Sequence, residues 1–221
     1  MALINNIKIR PKLIGALLLV GILPMLIIGI ICINKSKSTM MQQSYNQLEA
    51  VQAIKTQQIA SFFDIKMSDL SAYSTNSAIL LSAQRFSEAF NQSGRSFGAQ
   101  WKEWDRHHGS RLSIYAEEKE YEDILIITPS GDVVYTVGKE SDLGGNVMEG
   151  ALAKTTLSEA FRKGRSGAAF TDFAWYEPSD KPACFISAPI PDENGELAGV
   201  VAFQLSLKSI NRVMQERTGM G

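Results

Sequence analysis

Leu13 to Ile33 reads LIGALLLVGILPMLIIGIICI, with no Asp, Glu, Lys, Arg or His in it. A helix needs about 20 consecutive apolar residues to cross the hydrocarbon core of a bilayer, and this run has that length. Pro24 sits mid-span and removes one backbone donor, which membrane helices tolerate. Lys8, Arg10 and Lys12 precede the run, Lys35 and Lys37 follow it, and the first acidic residue is Glu49. With the terminal amine the leading side is the more basic, so residues 1–12 are expected in the cytoplasm and residues from 34 onward outside it. A cleaved signal peptide would have a shorter apolar core and a small-x-small site, and the Asn-Lys-Ser after Ile33 offers none. A lipoprotein signal would want a small residue before Cys32, where Ile31 stands. The reading is an uncleaved anchor.

The rest of the chain must then be an extramembrane domain. The chain's 221 residues suit one domain plus the anchor, and its net charge of -1 gives no basic footprint for nucleic acid. The two cysteines, Cys32 and Cys184, lie in the apolar run and far beyond it, so no disulfide framework is expected.

From Asn34 to about Asn91 there is no proline. Met41, Tyr45, Leu48, Val51, Ile54, Ile59, Phe62, Ile65, Leu70 and Tyr73 recur mostly every three or four residues, while Gln42, Gln43, Gln47, Lys55, Gln57, Lys66 and Asp69 fall opposite. That periodicity predicts one long amphipathic stalk helix over 34–91. A helix so long needs a partner, either the following domain or a second copy of itself. Asn91 to Gly98 reads as a break. Trp101, Trp104, Leu112, Ile114 and Tyr115 then predict a shorter helix. His107 and His108 are adjacent and would point about 100° apart on it, which does not suit one metal ion.

Strand runs follow: Ile124–Thr128, Val133–Val137, Ala168–Tyr176, Ala183–Ile190 and Leu197–Leu207. Pro129 to Asp132 reads as a hairpin turn, and Pro178 to Asp180 and Asp192 to Gly195 as further turns. Thr156–Lys163 reads as a helix with Gly164 as its C-cap. In the last strand Val201, Phe203, Leu205 and Leu207 alternate with Ala202, Gln204 and Ser206. The expected class is α+β: a transmembrane helix, a long stalk helix, then a PAS-like antiparallel five-stranded sheet with short helices.

The stretches YEDILIITPSGDVVYTVGKESDLGGN, LSEAFRKGRSGAAFTDFAWYEPS, ACFISAPIPDENGELAGVVAFQLSLKSINRVM and QERTGMG resemble the membrane-distal module of the Cache family in its double-module form, as in methyl-accepting chemotaxis proteins and sensor histidine kinases. The resemblance implies a stalk helix running along two stacked modules, a small ligand bound in the distal one, and a second anchor leading to a signalling domain. Residues 92–214 would be the distal module and 215–221 the start of a truncated proximal one. It implies a chemoreceptor sensor region in the bacterial cytoplasmic membrane. A histidine kinase or nucleotide cyclase output is the alternative. The expected partners are a small-molecule ligand, membrane lipid along residues 13–33 and a second copy through the stalk, with no cofactor, metal or nucleic acid. The amino-acid-binding branch has an arginine close before a Trp-Tyr pair. Here Phe173-Ala174 precedes Trp175-Tyr176, so that site is not carried over.

An anchored enzyme is the reading from a different class. No nucleophile elbow, HExxH or phosphate loop supports it, and Ser187 in FISAP has no histidine near it in sequence. For a ligand pocket, one sheet face should be wholly apolar against the stalk and the other should mix polar and apolar groups. Tyr135, Asp172, Tyr176, Ser187 and Gln204 are the polar strand residues to consider, with Trp175 facing away from Tyr176 unless a bulge intervenes. Asp172 lies among Phe170, Phe173 and Ala174, where it would meet a cationic ligand group or lie on the surface. The expected pocket combines Asp172, Tyr176, Tyr135 and Trp175 under the Asp142–Gly150 loop.

Overall fold

The computed structural model describes residues 9–216. Lys8 of the basic leader and residues 217–221 of the closing QERTGMG lie outside the described residues. The chain divides into two units, one ending at Ile54 and one beginning at Lys55. Helix α1, Ile9–Ser74, runs through the end of the first into the second.

In the first unit every apolar side chain of the span is exposed: Leu19 by 60 %, Ile27 by 49 % and Ile30 by 60 %. The helix continues through Pro24. It is long and apolar enough to cross a membrane, and none of its most apolar window is buried against protein.

In the second unit the helix expected over 34–91 is two helices. α1 stops at Ser74, and α2, Ser77–Gln92, starts after Asn76. Asn76 adopts extended backbone and its side-chain oxygen accepts from the Ala78 N–H at 2.8 Å, a helix N-cap. Apolar spacing carries across such a break undisturbed, so periodicity alone cannot see it. The next helix is also interrupted. α3, Ala99–Trp104, passes into a π-turn, Asp105–Gly109, holding His107 and His108, and continues as α4, Ser110–Glu118.

The sheet is antiparallel. Its strands are β1 Tyr121–Ile127, β2 Val133–Thr136, β3 Ala169–Phe170, β4 Ala174–Tyr176, β5 Lys181–Pro191 and β6 Leu197–Leu205. Five run in the order β2-β1-β6-β5-β3, and β4 pairs with β5 beyond them. The strand expected over 168–176 is therefore two short strands. Between them Thr171 turns inward: its hydroxyl oxygen accepts from the Phe185 N–H at 3.1 Å, and its carbonyl accepts from the Cys184 thiol at 3.0 Å. Cys184 is buried and free.

Each sheet face is covered. Leu70 of α1, Ile79, Phe86 and Phe90 of α2, Trp101 of α3 and Leu112 of α4 close over Ile124, Ile126, Val201, Phe203 and Leu205. On the opposite face α5, Thr156–Gly164, lays Leu157, Ala160 and Phe161 against Leu125, Phe185, Val200 and Ala202. Gly164 belongs to α5 rather than capping it, and the cap position falls to Arg165. Glycine is needed at 164 for close approach, because a Cβ there would stand 2.6 Å from the Ser187 hydroxyl and 3.1 Å from a Val200 methyl. Finally α6, Leu207–Gln215, begins at the Ser206 cap, so Leu207 leaves the strand that periodicity gave it.

The two units differ in what holds α1. Around Leu70 it is packed into the core. Lys66 is buried there too, its Nζ donating to the Lys119 carbonyl and lying 4.3 Å from the Tyr121 ring centre. Burial lowers the pKa of that amine.

Candidate ligand site

The sequence candidates do not converge. Tyr135 lies on the face covered by α1 to α4, its ring centre 4.5 Å from that of Phe86 and tilted to it, with its hydroxyl donating to the Gly109 carbonyl at 3.2 Å. That face is therefore not wholly apolar. The π-turn presents the carbonyl that satisfies the phenol, which explains how a tyrosine fits in this layer.

Tyr176, Ser187 and Gln204 are all fully buried and face α5. Each is already engaged. The Ser187 hydroxyl donates to the Ala160 carbonyl at 2.7 Å, which fastens α5 to β5. The Gln204 amide donates to the Ser179 hydroxyl at 3.1 Å, which holds the 3-10 turn Glu177–Ser179. Tyr176 donates to a carboxylate oxygen of Asp142 at 2.7 Å. Asp172 is exposed, and Trp175 is exposed by 57 % and faces away from Tyr176 as strand alternation requires. The expected quartet of Asp172, Tyr176, Tyr135 and Trp175 is thus spread over two faces and the surface. The sheet separates Tyr135 from Tyr176, and the Thr171 turn leaves Asp172 outside.

A different set of residues forms a concavity on the α5 side. A cleft of about 560 Å³ is lined by Ser141, Gly145, Asn146, Glu149 to Leu152, Thr155, Glu177 and Pro178. Its walls are the loop after β2, the 3-10 turn Gly150–Lys154, and the turn that Gln204 holds. Two lining side chains are spent on shape. Asn146 donates to the Ser130 carbonyl and the Asp132 carboxylate, and Thr155 caps α5. The charged lining residues are Glu149 and Glu177, both exposed. Such a cleft suits a ligand carrying a cationic group.

Next in the chain to the lining residue Ser141, Asp142 is 1 % exposed, and Asp123, within reach of its charge, is 2 % exposed. One Asp123 oxygen accepts three backbone N–H groups, from Ile124 at 2.7 Å, Val137 at 2.7 Å and Gly138 at 3.0 Å. Burial, opposed by those donors and reinforced by Asp142, pushes the Asp123 carboxyl up to about 7. Burial also raises Asp142 against the Tyr176 hydrogen bond, and raises Tyr176 beside it. Of these three only Tyr176 stood out by type in the sequence; Asp123 and Asp142 did not. Asp142 lies in the loop chosen as a lid, but its hydrogen-bond partner Tyr176 is 34 residues away.

No family model matches this chain, and no curated protein matches it. Among solved structures, the sensor domain of the Vibrio cholerae histidine kinase DctB superposes with a TM-score of 0.54 at 16 % identity, covering 82 % of this chain and 61 % of that one. The ligand-binding domain of the Pseudomonas aeruginosa amino acid chemoreceptor PctC, solved with GABA, gives 0.49 at 13 % identity over 76 % and 66 %. That of the Pseudomonas fluorescens chemoreceptor CtaA, solved with L-serine, gives 0.48 at 14 % over 75 % and 60 %. The chain thus spans about three-fifths of the DctB sensor domain, whose fold it shares.

Proposed function

We propose that this chain is the extracytoplasmic small-molecule sensor region of a membrane receptor that signals for chemotaxis. The observation that carries the reading is continuity: one helix, Ile9–Ser74, contains an exposed apolar span at its start and is the first helix of a fold shared with a receptor sensor domain. A histidine kinase output is the second reading, favoured because the DctB domain belongs to such a kinase. The ligand site is the cleft between the Ser141–Leu152 loop and Glu177-Pro178, with Tyr176 and Asp142 behind it. Glu149 and Glu177 hold the ligand's cationic group.

The test is a thermal-shift screen of the full chain in nanodiscs against amino acids, small amines and organic acids. A cationic or zwitterionic compound is expected to stabilise the protein. Replacing Glu149 and Glu177 together by glutamine should weaken its binding about ten- to a hundredfold, since a hydrogen bond to a charged group contributes about 1.5–3 kcal/mol. A hit whose affinity the double variant leaves unchanged places the site elsewhere.

The partner proposed for the first unit is a second copy. Met41, Tyr45 and Leu48 are 64 %, 62 % and 66 % exposed on one face of α1, alongside Lys37, Met40 and Ser44. An exposed apolar stripe of this kind marks an interface. Single cysteines at 41, 45 and 48 should crosslink in membranes at several times the yield of one at Gln43. Equal yields round the helix would remove the interface.

A further inference from the structure

The segment after β2 leads to the cleft wall, and Val137, Gly138, Lys139 and Asp142 along it are each tied down. Asp123 holds the Val137 and Gly138 amides. Lys139, in a left-handed backbone conformation, donates from its amide to the Thr136 hydroxyl at 2.7 Å. Its amine pairs with Asp105 at 2.9 Å and lies 3.7 Å from the Tyr135 ring centre. Asp142 is tied to Tyr176, and the next residue toward the segment, Ser141, lines the cleft.

The pin at Asp123 is built with one oxygen empty-handed. Oδ1 takes all three donors, while Oδ2 is buried without a partner. Asp142 Oδ1 and Glu140 Oε2 are also buried without partners. Gly138 packs so closely that a Cβ there would stand 3.1 Å from Asp123 Oδ2. A carboxylate oxygen shut from water with no donor is costly when charged, and a second buried carboxylate nearby raises that cost.

The other charges around it do not cancel this. Glu122 on β1 pairs with Lys181 of β5. Lys139 is engaged by Asp105 of the π-turn, and burial lowers its pKa. Tyr135 of β2, on the other face of the sheet, and Tyr176 of β4 have pKa values that burial raises, so both are neutral within reach of the Asp123 charge. Glu140 and Asp142 of the segment itself are the remaining acids, both with raised pKa values from burial.

We propose that Asp123 is a protonation-controlled pin: with its carboxyl neutral the segment Val137–Asp142 is held closed against the sheet, and ionisation loosens that segment and the cleft wall it leads into. The effect on ligand binding rests on the cleft being the ligand site. The loosening itself does not.

In the closed chain burial keeps the carboxyl protonated up to about 7. In an opened, hydrated segment an aspartate loses its proton near ~4. The folded pKa is the raised one, so the stabilisation is complete below about pH 4, is lost as pH rises from there to about 7, and stays lost above.

Hydrogen–deuterium exchange on the full chain in nanodiscs, from pH 5 to 8.5 and corrected for intrinsic rates, reads the opening directly. In the peptide covering 137–142 protection should fall by up to roughly tenfold per pH unit and level off near 7. Peptides from β5 are the internal reference. Asp123→Asn keeps an acceptor oxygen for the three amides and has no proton to lose, so its profile should be clearly shallower, keeping only the slope that Glu140 and Asp142 contribute. A flat wild-type profile, or an equal slope in Asp123→Asn, overturns the pin. If that variant fails to fold, Asp142→Asn decides: removing the neighbouring charge should bring the levelling to lower pH, and an unmoved profile overturns the pin. No ligand enters the measurement, so a cleft that binds nothing leaves this result standing.

Discussion

Replacing Leu19 and Ile27 together by arginine is expected to abolish membrane insertion. Each arginine near the centre of a span costs about 2.5–3.5 kcal/mol on insertion scales, so the pair costs about 5–7 kcal/mol. The span's remaining leucines, isoleucines and valine contribute about -0.3 to -0.6 kcal/mol apiece, a total of the same size. Insertion then has no net drive. Both positions are exposed in the helix, and no protein neighbour covers them. The measurement is partition of the full chain between carbonate-washed membranes and the soluble fraction. Conservative Leu19→Ile and Ile27→Leu changes should leave the protein in the membrane fraction. Retention of the double arginine variant there would mean that something other than Leu13–Ile33 anchors the chain.

The second large effect is at Phe203. This side chain is fully buried in β6, with ring centres of Tyr121 at 4.5 Å, Tyr73 at 5.6 Å and Tyr115 at 6.0 Å. It therefore touches α1, α4 and β1 at once. Phe203→Ala removes the ring's transfer free energy and leaves a cavity among groups that backbone hydrogen bonds hold in place. The expected loss is about 3–5 kcal/mol, a large fraction of the stability of a domain this size. Phe203→Leu should cost less than half of that. Thermal unfolding of the full chain in detergent checks both. A loss under about 1 kcal/mol for the alanine variant would mean that the three-ring cluster does not hold α1 to the sheet.

What the sequence determined by itself is what depends on local periodicity. The span needs only length and the absence of charge, and Leu13–Ile33 has both. Alternation in VVAFQL put Val201, Phe203 and Leu205 on one face and Ala202 and Gln204 on the other, and the two buried clusters divide them that way. The α+β class followed from the order of helix and strand runs. Strand alternation also turned Trp175 to the face opposite Tyr176, as observed, although the expected pocket had included both. The helix ends were less legible. Asn76 reads like any other polar residue on a glutamine-rich face until its side chain is seen capping α2. Gly164 reads as a helix stop until Ser187, brought to it by β5, is seen to need the space.

The site was decided by tertiary structure. Tyr135 and Tyr176 were equal candidates by type, and only strand order puts a sheet between them. Asp123 shows the reason most clearly. Tyr121 and Asp123 are two apart and by strict alternation would share a face. A bulge at Glu122 sets Tyr121 opposite Leu205 but Asp123 opposite Gln204, so one faces the helices and the other faces α5. Nothing in Tyr-Glu-Asp announces the bulge, because it belongs to the pairing of β1 with β6, strands some eighty residues apart in the chain. Residue type and spacing are properties of one segment. The burial of Asp123, its three amide donors and its nearness to Asp142 are properties of β1, β2, β6 and a loop meeting, and they exist only once those have met.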